Sequence, residues 1–309
     1  MPAFRCRGVA RGHGKAMMSV DVGIQLYSVR NAMAVDAEGT LARLAELGFT
    51  RVEGANHEAD TDPGIGFGIS ADRLAAVLEA NGLSIVGSHI NPLDVGKLGP
   101  TLDFHAGIGS PGIGCDIEFY PYGDVDHVKR RAEAFNRVGE LCAQRGMVFY
   151  YHNHFQEFQE FDGTPVYELI LENTDPALVK IEMDTFWVYR GGHDPLEWID
   201  RYPDRVILTH QKDFPRGFSE PLNLFDGIVD PRENITLERF LAVKNPLSFV
   251  EIGTGILPIQ DIITTLDRLP AFRCMVLEQD FSTNEDLESA RISRDAFSRL
   301  HGTELEIRA

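Results

Sequence analysis

The feature that most constrains this chain is a rhythm. Eight short apolar runs, each followed by a helical pattern, succeed one another with no linker between them. The runs are Val22–Tyr27, Arg51–Glu53, Ser84–Ser88, Cys115–Phe119, Met147–Tyr151, Leu178–Glu182, Arg205–Thr209 and Cys274–Leu277. Between them apolar residues recur at helical spacing, as at Leu74, Val77 and Leu78 between the N-cap candidate Ser70 and the stop at Gly82. Eight strand–helix units in 309 residues predict an α/β fold, the closed (β/α)8 TIM barrel, which takes ~250 residues or more as one domain. The competing open sheet would want a glycine-rich phosphate loop after its first strand, and Tyr27-Ser-Val-Arg-Asn-Ala32 has none.

Composition narrows the partners. The chain holds 29 basic and 47 acidic residues, a net charge of −18, which repels phosphate backbones and anionic lipid and argues against nucleic acid and membrane. No apolar run approaches the ~20 residues of a membrane span. Cys6, Cys115, Cys142 and Cys274 lack any C-x-x-C spacing, which fits reduced thiols and a cytoplasmic location. Residues 1–18 carry Arg5, Arg7, Arg11 and Lys15 and no acid. They read as a disordered or loosely attached basic tail, or as an upstream extension with Met17 or Met18 as the natural start, with a mitochondrial-type presequence as the other alternative. Residues 19–309 read as a single catalytic domain.

In such a barrel the reacting groups project from the C-terminal ends of the strands. The expected ends carry Glu53 with His57 behind it, His89, Glu118, His152 with His154, Asp184, His210 with Lys212, and Glu278. Carboxylates and imidazoles converging on one face suit one divalent ion, Mn²⁺ first and Zn²⁺, Co²⁺, Fe²⁺ or Mg²⁺ otherwise, better than Ca²⁺.

These residues sit in a wider pattern. The elements Gly23-Ile-Gln-Leu-Tyr-Ser-Val-Arg30, Tyr151-His-Asn-His-Phe-Gln-Glu-Phe158, Glu182-Met-Asp-Thr-Phe-Trp187, Thr209-His-Gln-Lys-Asp213 and Val276-Leu-Glu278 resemble the xylose-isomerase-like barrel superfamily of sugar phosphate isomerases and epimerases. The resemblance implies metal ligands at the ends of strands five to eight, and Asp184, His210 and Glu278 match. Strand five departs from the pattern, because His152-Asn153 stands where a glutamate is usual. Glu157, in the following loop, would preserve three carboxylates and one imidazole and is the expected fourth ligand, with His152 the alternative. His152 and His154 are then acid–base candidates with Lys212 assisting. Tyr27, Glu53, His89, Glu118 and Trp187 are candidates for contact with a small-molecule sugar, Trp187 against its apolar face. The His152-Asn-His154 triplet alone is weak evidence for a nuclease, and Trp187 stands where the trinuclear site of endonuclease IV wants a histidine.

The chemistry implied is abstraction of a proton beside a sugar carbonyl. Returning the proton gives isomerisation or epimerisation; expelling a β-substituent gives elimination. The segment 214–257, with Pro221-Leu-Asn-Leu-Phe225 and Val250-Glu-Ile-Gly-Thr-Gly-Ile-Leu257, also resembles, less specifically, the large subunit of bacterial C-glycoside deglycosidases, lyases that act on 3-oxo-glycosides beside a small subunit. A non-catalytic sugar-binding barrel is the reading of another class. That segment far exceeds the ~2–6 residues of an ordinary barrel loop, and its Phe214, Phe218, Leu222, Leu224 and Phe225 need burial, so a homo-oligomer or a complex with a small subunit is expected.

Overall fold

A computed structural model describes residues 19–305. The basic tail expected over residues 1–18 lies outside the described residues. Eight parallel strands close a barrel: β1 (Val22–Gln25), β2 (Arg51–Asn56), β3 (Ser84–Ile90), β4 (Gly112–Cys115), β5 (Val148–His152), β6 (Val179–Asp184), β7 (Val206–Gln211) and β8 (Cys274–Leu277). Each strand pairs with its sequence neighbours, and β8 returns to β1 through Val22 opposite Met275 and Ile24 opposite Leu277. Helices separate the strands, among them Ala37–Glu46, Ala71–Ala80, Val125–Ala143 and Asp286–Phe297. The predicted barrel is the fold observed.

The strands are buried on both faces, which is why they read as apolar runs rather than alternating ones. Outside the barrel, Leu41, Leu44, Val77, Phe135, Val138 and Ile263 pack the helices against Ile24, Ile113, Phe149, Ile181 and Met275. The helix Val125–Ala143 shows the pattern: Asp124 caps it by accepting from the His127 N–H at 2.8 Å, and Val128, Ala132, Phe135, Val138 and Cys142 form its buried stripe. Inside the barrel, Tyr150, Leu208, Cys274 and Val276 form a separate apolar plug.

Strand four departs from its expected place. The sequence reading starts it at Cys115, but it ends there. Gly112-Ile-Gly-Cys115 has little intrinsic strand propensity, so the run was hidden. The glycines are required by a residue on another strand: a Cβ on Gly114, or on Gly87 of β3, would overlap the Tyr150 ring.

Between β7 and β8 the chain makes its long excursion, including the helix Leu237–Val243. Asp213 holds both ends, its carboxylate accepting from the backbone N–H groups of Phe214, Gly253, Gly255 and Leu257 at 2.9–3.0 Å. Phe214 and Leu224 are buried against the barrel, and Phe218, Leu222 and Phe225 pack partly buried on the same core. Their burial therefore needs no second chain. Leu237, Leu241 and Leu247 stay more than half exposed. No helix among the described residues is long and apolar enough to cross a membrane.

Candidate functional site

Side chains alternate along a strand, so the residue two beyond an inward one also faces inward. Tyr150, Leu208 and Val276 fill the barrel interior, and two residues on stand His152, His210 and Glu278. Asp184, opposite His210 in the β6–β7 register, joins them. One ligand atom from each of His152, Asp184, His210 and Glu278 lies within 4.8 Å of the others, and all four residues are buried. A second group, Glu53, His89, Glu182 and His210, meets the same distance and shares His210.

The shared imidazole has a different partner on each nitrogen. His210 Nδ1 is 2.8 Å from Glu278 Oε2, while its Nε2 is 2.6 Å from Glu53 Oε2 and 3.2 Å from Glu182 Oε1. His89 Nε2 meets Glu182 Oε2 at 2.6 Å. Burial opposes charge on these rings, but the surrounding carboxylates prevail: Glu182, Glu278 and Glu53 hold His210 well above the ordinary imidazole range, and Glu53 and Glu182 hold His89 at about 10. Glu53 also accepts from the Tyr150 hydroxyl and, at 3.0 Å, from Gln25.

Lys212 reaches the first group from the end of β7. Its ammonium pairs with both Asp184 and Glu278 and holds those carboxylates low against the cost of burial. His152 is set by its backbone contact. Its Nδ1 donates to the Asp116 carbonyl at 3.0 Å, leaving Nε2 buried without a hydrogen bond, 3.4 Å from Asp184 Oδ2. Above the group lies a cavity of about 240 Å³, lined by His152, His154, Glu278, Asp116, His57, Tyr27, Lys244 and Asp280, and by the apolar side chains of Ile117, Leu237, Phe240 and Leu241. His154 lies against His152 and Trp187, with ring centroids 4.8 and 5.5 Å away, and its Nδ1 has no partner. Burial and the neighbouring His152, Lys212 and Lys244 keep its ring neutral. Wider surface grooves exist, one between Asn31 and Asp286, but none carries these histidine–carboxylate groups.

The structure thus brings His152, Asp184, His210 and Glu278 together and leaves Glu157 out. The Glu157 carboxylate accepts from Tyr151 Oη at 2.7 Å and the His154 N–H at 2.9 Å, and burial lifts its pKa to about 7. Glu118 is drawn off by an ion pair with Arg131 and does not line the cavity. Trp187 is buried behind His154 rather than in the wall. Glu53 and His89 belong to the second group and do not line the cavity, whereas Tyr27 lines it, its ring under Arg30 at 4.1 Å.

Four positions escaped the sequence reading. Asp116 directly follows the last residue of β4, a place hidden by the misplaced strand. Glu182 sits two residues before Asp184 on the same face, a signal that period two already contained. Lys244 arrives on the excursion and pairs with Asp280 at 3.2 Å. Asn153, just past the end of β5, binds the backbone N–H and C=O of Asp184.

Comparison with known proteins agrees with this architecture. A sugar phosphate isomerase/epimerase from Parabacteroides distasonis superposes with a TM-score of 0.68 at 25% identity, covering 92% of this chain and 96% of that one. The fold is that of the xylose-isomerase-like TIM barrels. A xylose isomerase domain protein from Salmonella typhimurium shares this fold at a TM-score of 0.63 and 15% identity, with 93% and 97% of the two chains covered. In sequence, an inosose dehydratase from Bacillus anthracis is 27% identical over 138 residues, 45% of this chain and 42% of the relative. An inosose dehydratase from Geobacillus kaustophilus is 35% identical over 85 residues, 26% of this chain and 26% of its own length. The match spans less than half of these curated relatives. No family model matches the chain. The barrel's relatives in sequence are therefore enzymes that bear carbohydrate-related names.

Proposed function

We propose that this barrel is a divalent-metal-dependent carbohydrate enzyme that removes a proton beside the carbonyl of a polyhydroxyketone. One observation carries the metal reading: His152 Nε2 is buried, has no hydrogen bond, and belongs to a group whose other members are Asp184, His210 and Glu278. A lone pair left in that position is costly unless something takes it, and fixing Nδ1–H on a carbonyl is how ligand histidines are oriented. Two imidazoles and two carboxylates suit Mn²⁺, Zn²⁺, Fe²⁺ or Co²⁺. When bound, such an ion polarises the carbonyl and stabilises negative charge on its oxygen.

The chain's own residues supply the rest. Glu53 and Glu182 hold His210 Nε2 as a donor, leaving Nδ1 for the outer group. His154 lines the cavity with Nδ1 unpartnered and is the base. Lys212 offsets the charge of Asp184 and Glu278. The sequence relatives favour dehydration as the outcome, since their names specify inosose as substrate. Release of an aglycone from a 3-oxo-glycoside is the same elimination with another leaving group. It draws support from Leu237 and Leu241, which put exposed apolar surface in the cavity lining.

The test uses the metal-loaded full chain in D₂O with an inosose, a free ketose and a 3-oxo-glucoside as probes. Deuterium entering beside the carbonyl, lost on chelation and in His154→Ala, is the expected result. Metal bound at one per chain with no exchange in any probe would leave a binding protein instead.

A further inference from the structure

The cavity holds a second acid–base arrangement that the proton-abstraction reading does not use. His57 follows β2 directly, with its side chain 42% exposed, its ring against Tyr27 at 5.2 Å and its Nε2 3.5 Å from Asp116 Oδ2. Asp116 is held in turn. Its Oδ1 meets His89 Nδ1 at 3.2 Å, and its Oδ2 accepts from Asn91 Nδ2 at 3.3 Å. A carboxylate fixed by donors from β3 and the loop after it, with an edge turned to a half-exposed imidazole, orients that ring. Both His57 and Asp116 line the cavity that contains His154 and Glu278. His57 follows β2 and His154 follows β5, so the two imidazoles stand three strands apart round the ring. Isomerisation by one shuttling base needs no such pair; elimination can use one imidazole as base and the other as acid.

We propose that His57, positioned by Asp116, is the general acid that protonates a leaving group, which makes this enzyme a dehydratase or a related lyase. The inference rests on the proton-abstraction reading above. His154 takes the proton from the carbon beside the carbonyl. The electron pair left behind is first delocalised onto the carbonyl oxygen as an enolate; in a second step it becomes a carbon–carbon double bond as the bond from the β-carbon to its oxygen substituent breaks. His57 gives its proton to that oxygen. A β-hydroxyl leaves as water, the product is an α,β-unsaturated ketone, and no oxidant or reductant is consumed. His154 then releases one proton to solvent and His57 regains one.

The experiment compares the wild-type chain with His57→Gln and Asp116→Asn, metal-loaded, in D₂O with an inosose and a 3-oxo-glucoside. Deuterium uptake is followed by NMR and enone formation by absorbance. Wild type is expected to do both. His57→Gln keeps exchange within about threefold and loses enone formation by ~10²-fold or more, the usual contribution of a general acid. Asp116→Asn lies between, because it loosens the ring without removing it. Thermal melts establish that each variant is folded, and His57→Asn repeats the measurement should the glutamine variant melt early. Enone formation at the wild-type rate in His57→Gln overturns the proposal, as does exchange falling in step with product. A wild type that exchanges deuterium but returns an isomer or epimer also overturns it and leaves the abstraction reading standing. A wild type that does neither overturns both.

Discussion

Asn153 grips the backbone of Asp184 with both ends of its amide. Its Nδ2 donates to the Asp184 carbonyl at 3.2 Å, and its Oδ1 accepts from the Asp184 N–H at 3.1 Å. The middle residue of the His152-Asn-His154 triplet is thus a clamp between β5 and β6. It fixes where the Asp184 carboxylate stands relative to His152, and it gives the triplet a role unconnected with nuclease chemistry. Asn153→Ala is expected to lose about 1–3 kcal/mol of stability, because two buried backbone groups lose their partner. Metal affinity should fall by ~10–100-fold, as for other groups that orient a ligand. Calorimetric melts and metal titration check the two effects separately.

The proposed ligand set can be tested without large cavities. Asp184→Asn and Glu278→Gln keep shape and remove charge, so each should lower bound metal by at least about tenfold in an elemental assay of purified protein. His152→Ala should do the same, since its Nε2 is the unpartnered atom of the group. A metal stoichiometry unchanged in all three variants would transfer the site to other donors.

Glu157 offers a test with a definite sign. Its folded pKa of about 7 lies above the ordinary 4.5, raised by burial against the hydrogen bonds from Tyr151 and the His154 N–H. The fold therefore prefers the protonated form. The stability it contributes is fully present below about pH 4.5 and is lost as pH rises through 7, up to about 3 kcal/mol in all. Glu157→Gln imitates the protonated form, so denaturant melts should show it level with wild type at pH 5 and more stable at pH 8. Its metal content should equal that of wild type. A variant that loses its metal would restore Glu157 as the strand-five ligand.

Tyr150 and Gly114 make a packing prediction. A Cβ at Gly114 meets the Tyr150 ring, which is fully buried in the plug beneath the site. Gly114→Ala is expected to cost about 1–3 kcal/mol through overpacking. The double change Gly114→Ala with Tyr150→Phe should not be restored, because the ring carbons and not only the hydroxyl are in the way. Thermal melts of the two proteins decide.

Assembly now turns on Leu237, Leu241 and Leu247 rather than on the phenylalanines of the excursion. A homo-oligomer or a small-subunit complex is expected to cover these exposed leucines. Light scattering at micromolar concentration should show a dimer or larger, reduced to monomer by Leu247→Glu. A monomer throughout would leave the Leu237 and Leu241 surface to the substrate.

Local sequence determined the order of elements and the polar character of the strand ends. Strand alternation has a period of two and helical burial one of 3.6, and both are carried by neighbours in the chain, so the eightfold rhythm, β7 with His210 and β8 with Glu278 were legible in one dimension. Tertiary structure alone decided which donors converge. Asp116 rather than Glu118 faces the cavity because β4 ends at Cys115, and β4 is a glycine strand because Tyr150, some 36 residues on from Gly114, needs the space. His152 rather than Glu157 joins Asp184, because Tyr151 and the His154 N–H occupy the glutamate's oxygens. Lys244 reaches the site only through the path of a long loop anchored by Asp213. In each case the deciding partner lies on another strand or loop, and the local pattern of a chain does not encode the direction from which a distant side chain will arrive.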